Sequence, residues 1–211
     1  MLEMTRTDPE WKDKIITGDE TWVYGYDPET KCQSAEWRGQ GEPRPKKSRI
    51  LKSRNKVLLV PFLDNKSIVH PEYLPAGQTV IKEMYLGILR RLREAIRKKG
   101  QKNGLMQVFL AKNGTEILPQ PPISPDIAPN DFFLFPKHKA VLKRRHFDTR
   151  DDIIEISLLA LKSIPKEAYK NCFYNWEERW RWCIEARGDY FENPYTAMNK
   201  NEKREGMGYQ R

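Results

Sequence analysis

Hydrophobic positions along the first third of the chain alternate or cluster in short runs, and from residue 80 onward they recur at spacings of three and four. Ile15 and Ile16, followed by Thr21 to Tyr24, are β-branched and aromatic, and predict a strand that carries Asp19 within it or at its edge. The polar, proline-bearing stretch from Asp27 to Arg54 has no sustained period and predicts a loop. Val57 to Leu63 is a short apolar run of the kind buried strands show, with Pro61 pointing to a bulge or an edge position. Asp64, Asn65 and Lys66 turn it into Ile68 to Tyr73, so the two runs predict an antiparallel hairpin. Leu74 to Gly77 breaks the hairpin off, and Thr79 is suited to cap a following helix.

Over Val80 to Lys99, Ile81, Met84, Tyr85, Ile88, Leu89, Leu92 and Ile96 trace one face of a helix of about five turns. Arg90, Arg91, Arg93, Arg97, Lys98 and Lys99 fill the rest of its C-terminal half, as a solvated face and as complements to the helix dipole. Gly100 to Gly104 ends it. Met106 to Lys112 predicts a short helical turn, and Thr115 to Leu118 a short strand before a proline cluster. Pro129 near a first turn, with Asp131 and the apolar Phe132 to Phe135 behind it, opens a further helix. Two more begin at Asp151–Asp152 and at Pro165 to Glu167. In the last, Phe173, Trp176, Trp180 and Cys183 fall at helical spacing, a stripe that predicts core packing ahead of base stacking. After Asn193 the chain has neither period nor apolar content and predicts a disordered tail, 194–211. The succession of elements predicts a mixed α/β layer fold.

Composition adds a partner class. The 211 residues suit one domain, and Lys plus Arg outnumber Asp plus Glu by 38 to 29, a net charge of +9 with a pI near 9.4. That balance favours polyanions such as nucleic acid. No apolar run is long enough to span a membrane and the first residues lack the apolar core of a signal peptide, so an intracellular protein is expected. Cys32, Cys172 and Cys183 leave a thiol over under any disulfide scheme, and the latter two are expected on one helix, roughly 16 Å apart. With His70, His138 and His146 scattered, a zinc site is not indicated.

The stretches ITGDETWVYGYDP (16–28) and SPDIAPNDFFLFP (124–136) resemble the flanks of the first and third catalytic carboxylates of mariner-family DNA transposases. The resemblance runs nearly continuously from Leu2 to Glu192, through DPETKCQSAEW, PRPKKSR, LPAGQTV, LRRLRE, FLAKNGT, RRHFDT and WEERWRWCI. It implies a ribonuclease H-like mixed sheet flanked by helices, and DNA cleavage and strand transfer with two magnesium or manganese ions held by three aspartates. By this resemblance Asp19 matches the first carboxylate and Asp131 the third, while Asp126 belongs to the motif without being a ligand. The second should sit in an HDNAP-like stretch at the end of a central strand. Here Gln101 to Gly104 runs almost directly into LMQVFLAKNGT, so that strand and its aspartate look deleted near 101–107. Glu116 falls where the family has its following strand, and Asp64 is better placed as a turn former. Two ligands out of three imply weakened metal binding and negligible strand cleavage.

The resemblance therefore implies a linker remnant over 1–14, a catalytic domain over 15–193 with an internal deletion, and no preceding helix-turn-helix modules, hence loss of sequence-specific DNA docking. Arg44, Lys46, Lys47, Arg49, Lys52, Arg54 and Lys56 lie in or beside the loop 27–54, which in the family reaches to the partner subunit. They are candidate DNA contacts, as are Lys143, Arg144 and Arg145, with Lys137 and Lys139, beside Asp131. A second copy or a full-length transposase is a candidate partner through the loop, and a DNA substrate implies the nucleus. Three readings stay open: an inactive transposase domain, a non-enzymatic DNA- or transposase-binding protein, and a product with no function, since a lost central strand exposes unpaired edges.

Overall fold

The computed structural model describes residues 10–28, 53–98, 124–143 and 145–188. Its centre is β3 (Lys56–Leu63), whose residues after Lys56 are all buried. That continuous apolar run reflects burial on both faces. Val57, Leu59 and Leu63 point into one hydrophobic cluster, and Leu58, Val60 and Phe62 into another. The period-two alternation of a strand thus feeds two cores from one segment.

β3 pairs antiparallel on one side with β1 (Thr17–Gly18) and β2 (Thr21–Tyr24), and on the other with β4 (Ile68–Tyr73). The predicted hairpin is present, and Asp64 forms its turn, with one carboxylate oxygen accepting the N–H groups of Lys66 and Ser67. The expectation of an edge position for Pro61 is corrected, because β3 is paired on both sides. The irregularity lies one step further along, between Phe62 and Leu63, and Pro61 faces Pro71 across the β3–β4 ladder. The Leu58 carbonyl accepts the Leu74 N–H, so on β3 the even positions bond towards β4 and Pro61 points its backbone towards β1 and β2, where its missing N–H costs the β3–β4 ladder nothing.

One face of the sheet is covered by α2 (Lys82–Lys98), which buries Ile88, Leu89, Leu92 and Ile96 against Leu58, Val60, Phe62, Val69 and Leu74. α2 starts later than Thr79. The β-branched run Thr79, Val80, Ile81 is poorly suited to a first turn. Glu72 of β4 ties the helix down by accepting from Arg91 Nε at 2.9 Å, and it also meets His70 at 2.9 Å.

The other face carries α4 (Arg150–Lys162) and α5 (Lys166–Glu185), together with a short helical region ending in α3 (Phe135–Leu142). α4 begins with a reciprocal cap in which Thr149 Oγ1 accepts from the Asp152 N–H and the Asp152 carboxylate accepts from the Thr149 N–H. The aromatic stripe of α5 is core, as its spacing predicts: Phe173, Trp176 and Trp180 are buried. Trp11 of α1 (Trp11–Lys14) joins them, its ring centroid 5.1 Å from that of Trp180. Packing thus reaches into the stretch assigned to a linker. Cys172 and Cys183 are both on α5 and both free thiols. The predicted elements at 106–112 and 115–118, the gap near 101–107, most of the loop 27–54, Cys32 and the tail lie outside the described residues.

Candidate functional site

The β1 and β2 pairings share one register on β3, Thr17 with Leu63, Gly18 with Phe62, and Thr21 with Leu59. Continued across the gap, that register sets Asp19 opposite Pro61 and Glu20 opposite Val60. β1 and β2 are therefore one strand interrupted where the facing residue has no N–H to offer Asp19. The interruption frees Asp19 and Glu20 from the ladder. Gly18 is required beside them, since a Cβ there would collide with the ring of Phe62. Asp19 Oδ1 accepts the Glu20 N–H at 2.8 Å, which fixes the carboxylate locally.

Asp131 arrives from the opposite end of the chain. A 3₁₀ turn at Pro125–Ile127 leads through Ala128 and Pro129 into a π-helical turn, Asn130–Leu134, that continues as α3. The Phe135 N–H reaches back to the Asn130 carbonyl, and Pro136 can donate nothing to the turn before it, so the helix opens into the wider spacing here. Asp131 thereby sits in the first turn of this segment, where the helix dipole favours an anion.

The two acids meet. Asp131 is hydrogen-bonded to Asp19, and its carboxyl is held above the usual carboxylate range by partial burial first, then by the Asp19 charge, with Lys139 pulling the other way. Glu20 is raised as well, again by burial first, then by Asp19, with a smaller contribution from Asp131. The Tyr85 hydroxyl of α2 is pushed up by burial and by the charges of Glu20 and Asp19. The site thus lies where the strand break, the π-helical turn and the start of α2 converge. Like charges drawn together at a helix start form a donor set for a hard divalent cation, which would replace the proton the two carboxyls otherwise compete for. The fit is partial: among the described residues no three His, Cys, Asp or Glu side chains surround one cation position. Asn130, next to Asp131, is buried with its Oδ1 unpaired among the described residues.

Glu20 and Tyr85 were not singled out by sequence. The adjacency of two acids in GDET was a signal for Glu20; nothing local pointed to Tyr85, which reads as one more apolar position of α2.

Of the candidate DNA contacts, Arg54 and Arg145 are exposed and Lys143 is half-buried, while Arg44, Lys46, Lys47, Arg49, Lys52 and Arg144 lie outside the described residues. Arg54 and Arg145 flank one junction. The Gly25 N–H donates to the Asn55 carbonyl at 2.8 Å, the Phe147 N–H to the Gly25 carbonyl at 2.8 Å, and the Ser53 N–H to the Tyr26 carbonyl at 3.0 Å. His146 stacks on Tyr26 with centroids 4.0 Å apart, and Lys56 lies over Trp22 at 4.0 Å. The base of the loop 27–54 is thus fastened to the segment that follows α3.

Residues 27–105 match a family of transposases described as a partial DDE domain. The chain is 26% identical over 198 residues to the Mariner Mos1 transposase of Drosophila mauritiana, covering 85% of this chain and 56% of that protein. It is 26% identical over 198 residues to the histone-lysine N-methyltransferase SETMAR of Homo sapiens, covering 28% of that protein. The chain therefore spans little more than half of the first relative and a smaller part of the second. Among solved structures, the Mos1 transposase paired-end complex with left transposon end superposes with a TM-score of 0.80 at 25% identity, over 90% of this chain and 60% of that one. The catalytic domain of Mos1 superposes with a TM-score of 0.70 over 90% of both chains at 21% identity, a likeness of fold. Other Mos1 paired end complexes that superpose contain Mn or Mg.

Proposed function

We propose that the chain is a mariner-family transposase catalytic domain, on the ribonuclease H-like fold it shares with the catalytic domain of Mos1, and that Asp19 and Asp131 are its portion of a metal-dependent DNA cleavage and strand-transfer centre. The observation that carries this reading is their convergence: carboxylates 112 positions apart, one from a broken strand and one from a helix start, share a hydrogen bond. A divalent cation bound there would polarise a phosphoryl oxygen and lower the proton affinity of bound water. The residues' own part is to supply the negative cradle, Asp131 with the helix dipole behind it and Asp19 fixed by its neighbour's N–H.

The chain does not cut DNA on this reading. Among the described residues no third carboxylate completes a cation site with this pair, and two-metal displacement needs bridging ligands to hold both the attacking and the leaving oxygen. The pair binds one Mg²⁺ or Mn²⁺ weakly. Incubated with supercoiled plasmid and Mn²⁺, the chain and its Asp19→Ala variant should nick at the same background rate. Metal-dependent nicking that Asp19→Ala abolishes would overturn the inactivity and leave the site assignment standing.

A non-enzymatic role in binding DNA is favoured by one feature, the exposed Arg54 and Arg145 at the fastened base of a loop whose sequence is rich in Lys and Arg. Such binding would be electrostatic and indifferent to sequence, and would draw the chain to the nucleus, with a second copy or a full-length transposase engaged through the loop. Affinity for a random duplex should fall steeply with salt and weaken when Lys46, Lys47 and Arg49 are neutralised together. An affinity independent of salt removes this reading.

A further inference from the structure

The turn that delivers Asp131 lacks the backbone partners its carbonyls call for. Pro129 has no N–H with which to close a turn on the Asp126 carbonyl. The Asp131 N–H, the natural donor for Ile127, goes instead to the Ala128 carbonyl at 2.9 Å. Both orphaned carbonyls are taken by side chains of α5. Trp176 Nε1 donates to the Ile127 carbonyl at 2.6 Å, and Arg179 donates a guanidinium N–H to the Asp126 carbonyl at 2.6 Å. Trp176 and Arg179 stand one helical turn apart, so a single rigid face presents both donors.

The same guanidinium lies over the ring of Phe132, 4.3 Å from its centroid, so Arg179 touches both the 3₁₀ turn that leads to Asp131 and the residue that directly follows Asp131. Arg179 is half-buried and feels the Asp126 charge. Trp176 is buried and packs against both Trp11 and Trp180, which restricts its indole. Tyr169, lower on α5, meets the ring of Phe133 edge-on at 5.5 Å. α5 therefore grips the turn before Asp131 by main-chain carbonyls and the turn after it by aromatic rings.

We propose that Trp176 and Arg179 are positioning residues for Asp131, setting the direction in which its carboxylate approaches Asp19. The proposal rests on the reading of Asp19 and Asp131 as a cation-binding pair, and it deepens that reading by assigning the pair's geometry to α5. It also gives Asp126 a part: its main-chain carbonyl is the anchor for Arg179.

The test measures two quantities on the whole chain and on Trp176→Phe, Arg179→Met and Arg179→Lys, all well below their melting temperatures. The first is amide hydrogen exchange without metal. Trp176→Phe and Arg179→Met should speed exchange at Asp131 and Phe132 by about ten-fold while leaving the β3 amides unchanged, and Arg179→Lys, which keeps a charged donor, should restore most of the protection. The second is the Mn²⁺ dissociation constant, which should rise by about ten-fold or more in Trp176→Phe and Arg179→Met and recover in part in Arg179→Lys. Exchange at Asp131 and Phe132 that is unchanged, or that rises only in step with β3, overturns the proposal. If the parent chain binds no more Mn²⁺ than Asp131→Ala does, the cation reading fails, and the exchange result still decides whether α5 positions the turn.

Discussion

The two faces of the sheet are closed by different means. On one, α2 follows β4 closely in sequence and covers it with a single aliphatic stripe. On the other, both ends of the described chain meet. Trp11 from α1 packs on Trp176 and Trp180 of α5, and Lys12 pairs with Glu177 at 3.3 Å. The first face is built from local contacts, the second from contacts that span the domain. Asp19 depends mainly on a defect in the sheet itself, whereas Asp131 depends on the second face for its direction. The site thus joins a part set by local sequence to a part set by tertiary packing.

The contrast can be broken from the aromatic side first. Phe173 is fully buried between the sheet and the tryptophans, with its ring edge-on to Trp176 at 5.4 Å. Phe173→Ala should cost about 4 kcal/mol in urea unfolding, and should disturb the Asp131 turn as well as the global stability. Leu92→Ala on the α2 face should cost about 3 kcal/mol and leave the exchange rates of Asp131 and Phe132 moving only with the global transition. A disturbance of the Asp131 turn by Leu92→Ala as large as that by Phe173→Ala would dissolve the distinction between the faces.

A polar cluster within the second face sharpens the contrast by pH. Ser157 Oγ is hydrogen-bonded to Tyr73 Oη at 2.7 Å and to His138 Nε2 at 2.8 Å, joining β4, α3 and α4. Burial, with a smaller push from Lys139, lowers His138 to about 4 from its ordinary 6.5. The unfolded chain therefore takes up a proton below about pH 6.5 that the folded chain refuses until about pH 4, and acid favours unfolding across that window. Between pH 7 and pH 5 the loss from this group should be about 2 kcal/mol, and His138→Gln should flatten that part of the profile. Thr149→Ala, which removes the reciprocal cap of α4 at an exposed helix end, should cost about 1 kcal/mol in the same unfolding assay.

Local sequence made the first face legible. The β3–β4 hairpin followed from two apolar runs about a turn, and α2 from its three- and four-residue spacing; on the second face the same spacing gave α5 as a helix but not what it packs on. The interruption between β1 and β2 was not legible, because it depends on which residue of β3 stands opposite, and Pro61 is 42 positions from Asp19. The π-helical turn at Asn130 reads locally as an ordinary helix start, since Pro129 and Pro136 each fit one. Trp11 looked like part of a linker because its partners are at the far end of the chain. Asp19 and Asp131 were identified by resemblance to flanking motifs; their contact, and the presence of Glu20 and Tyr85 beside them, required the fold.

Titration of Mn²⁺ into the chain, Asp19→Asn and Asp131→Asn, read by calorimetry or by the electron paramagnetic resonance of free Mn²⁺, addresses the central claim most directly. The account predicts weak binding of one cation to the parent chain, lost in both variants. Tight binding of two cations, or binding that survives the loss of Asp131, would contradict it.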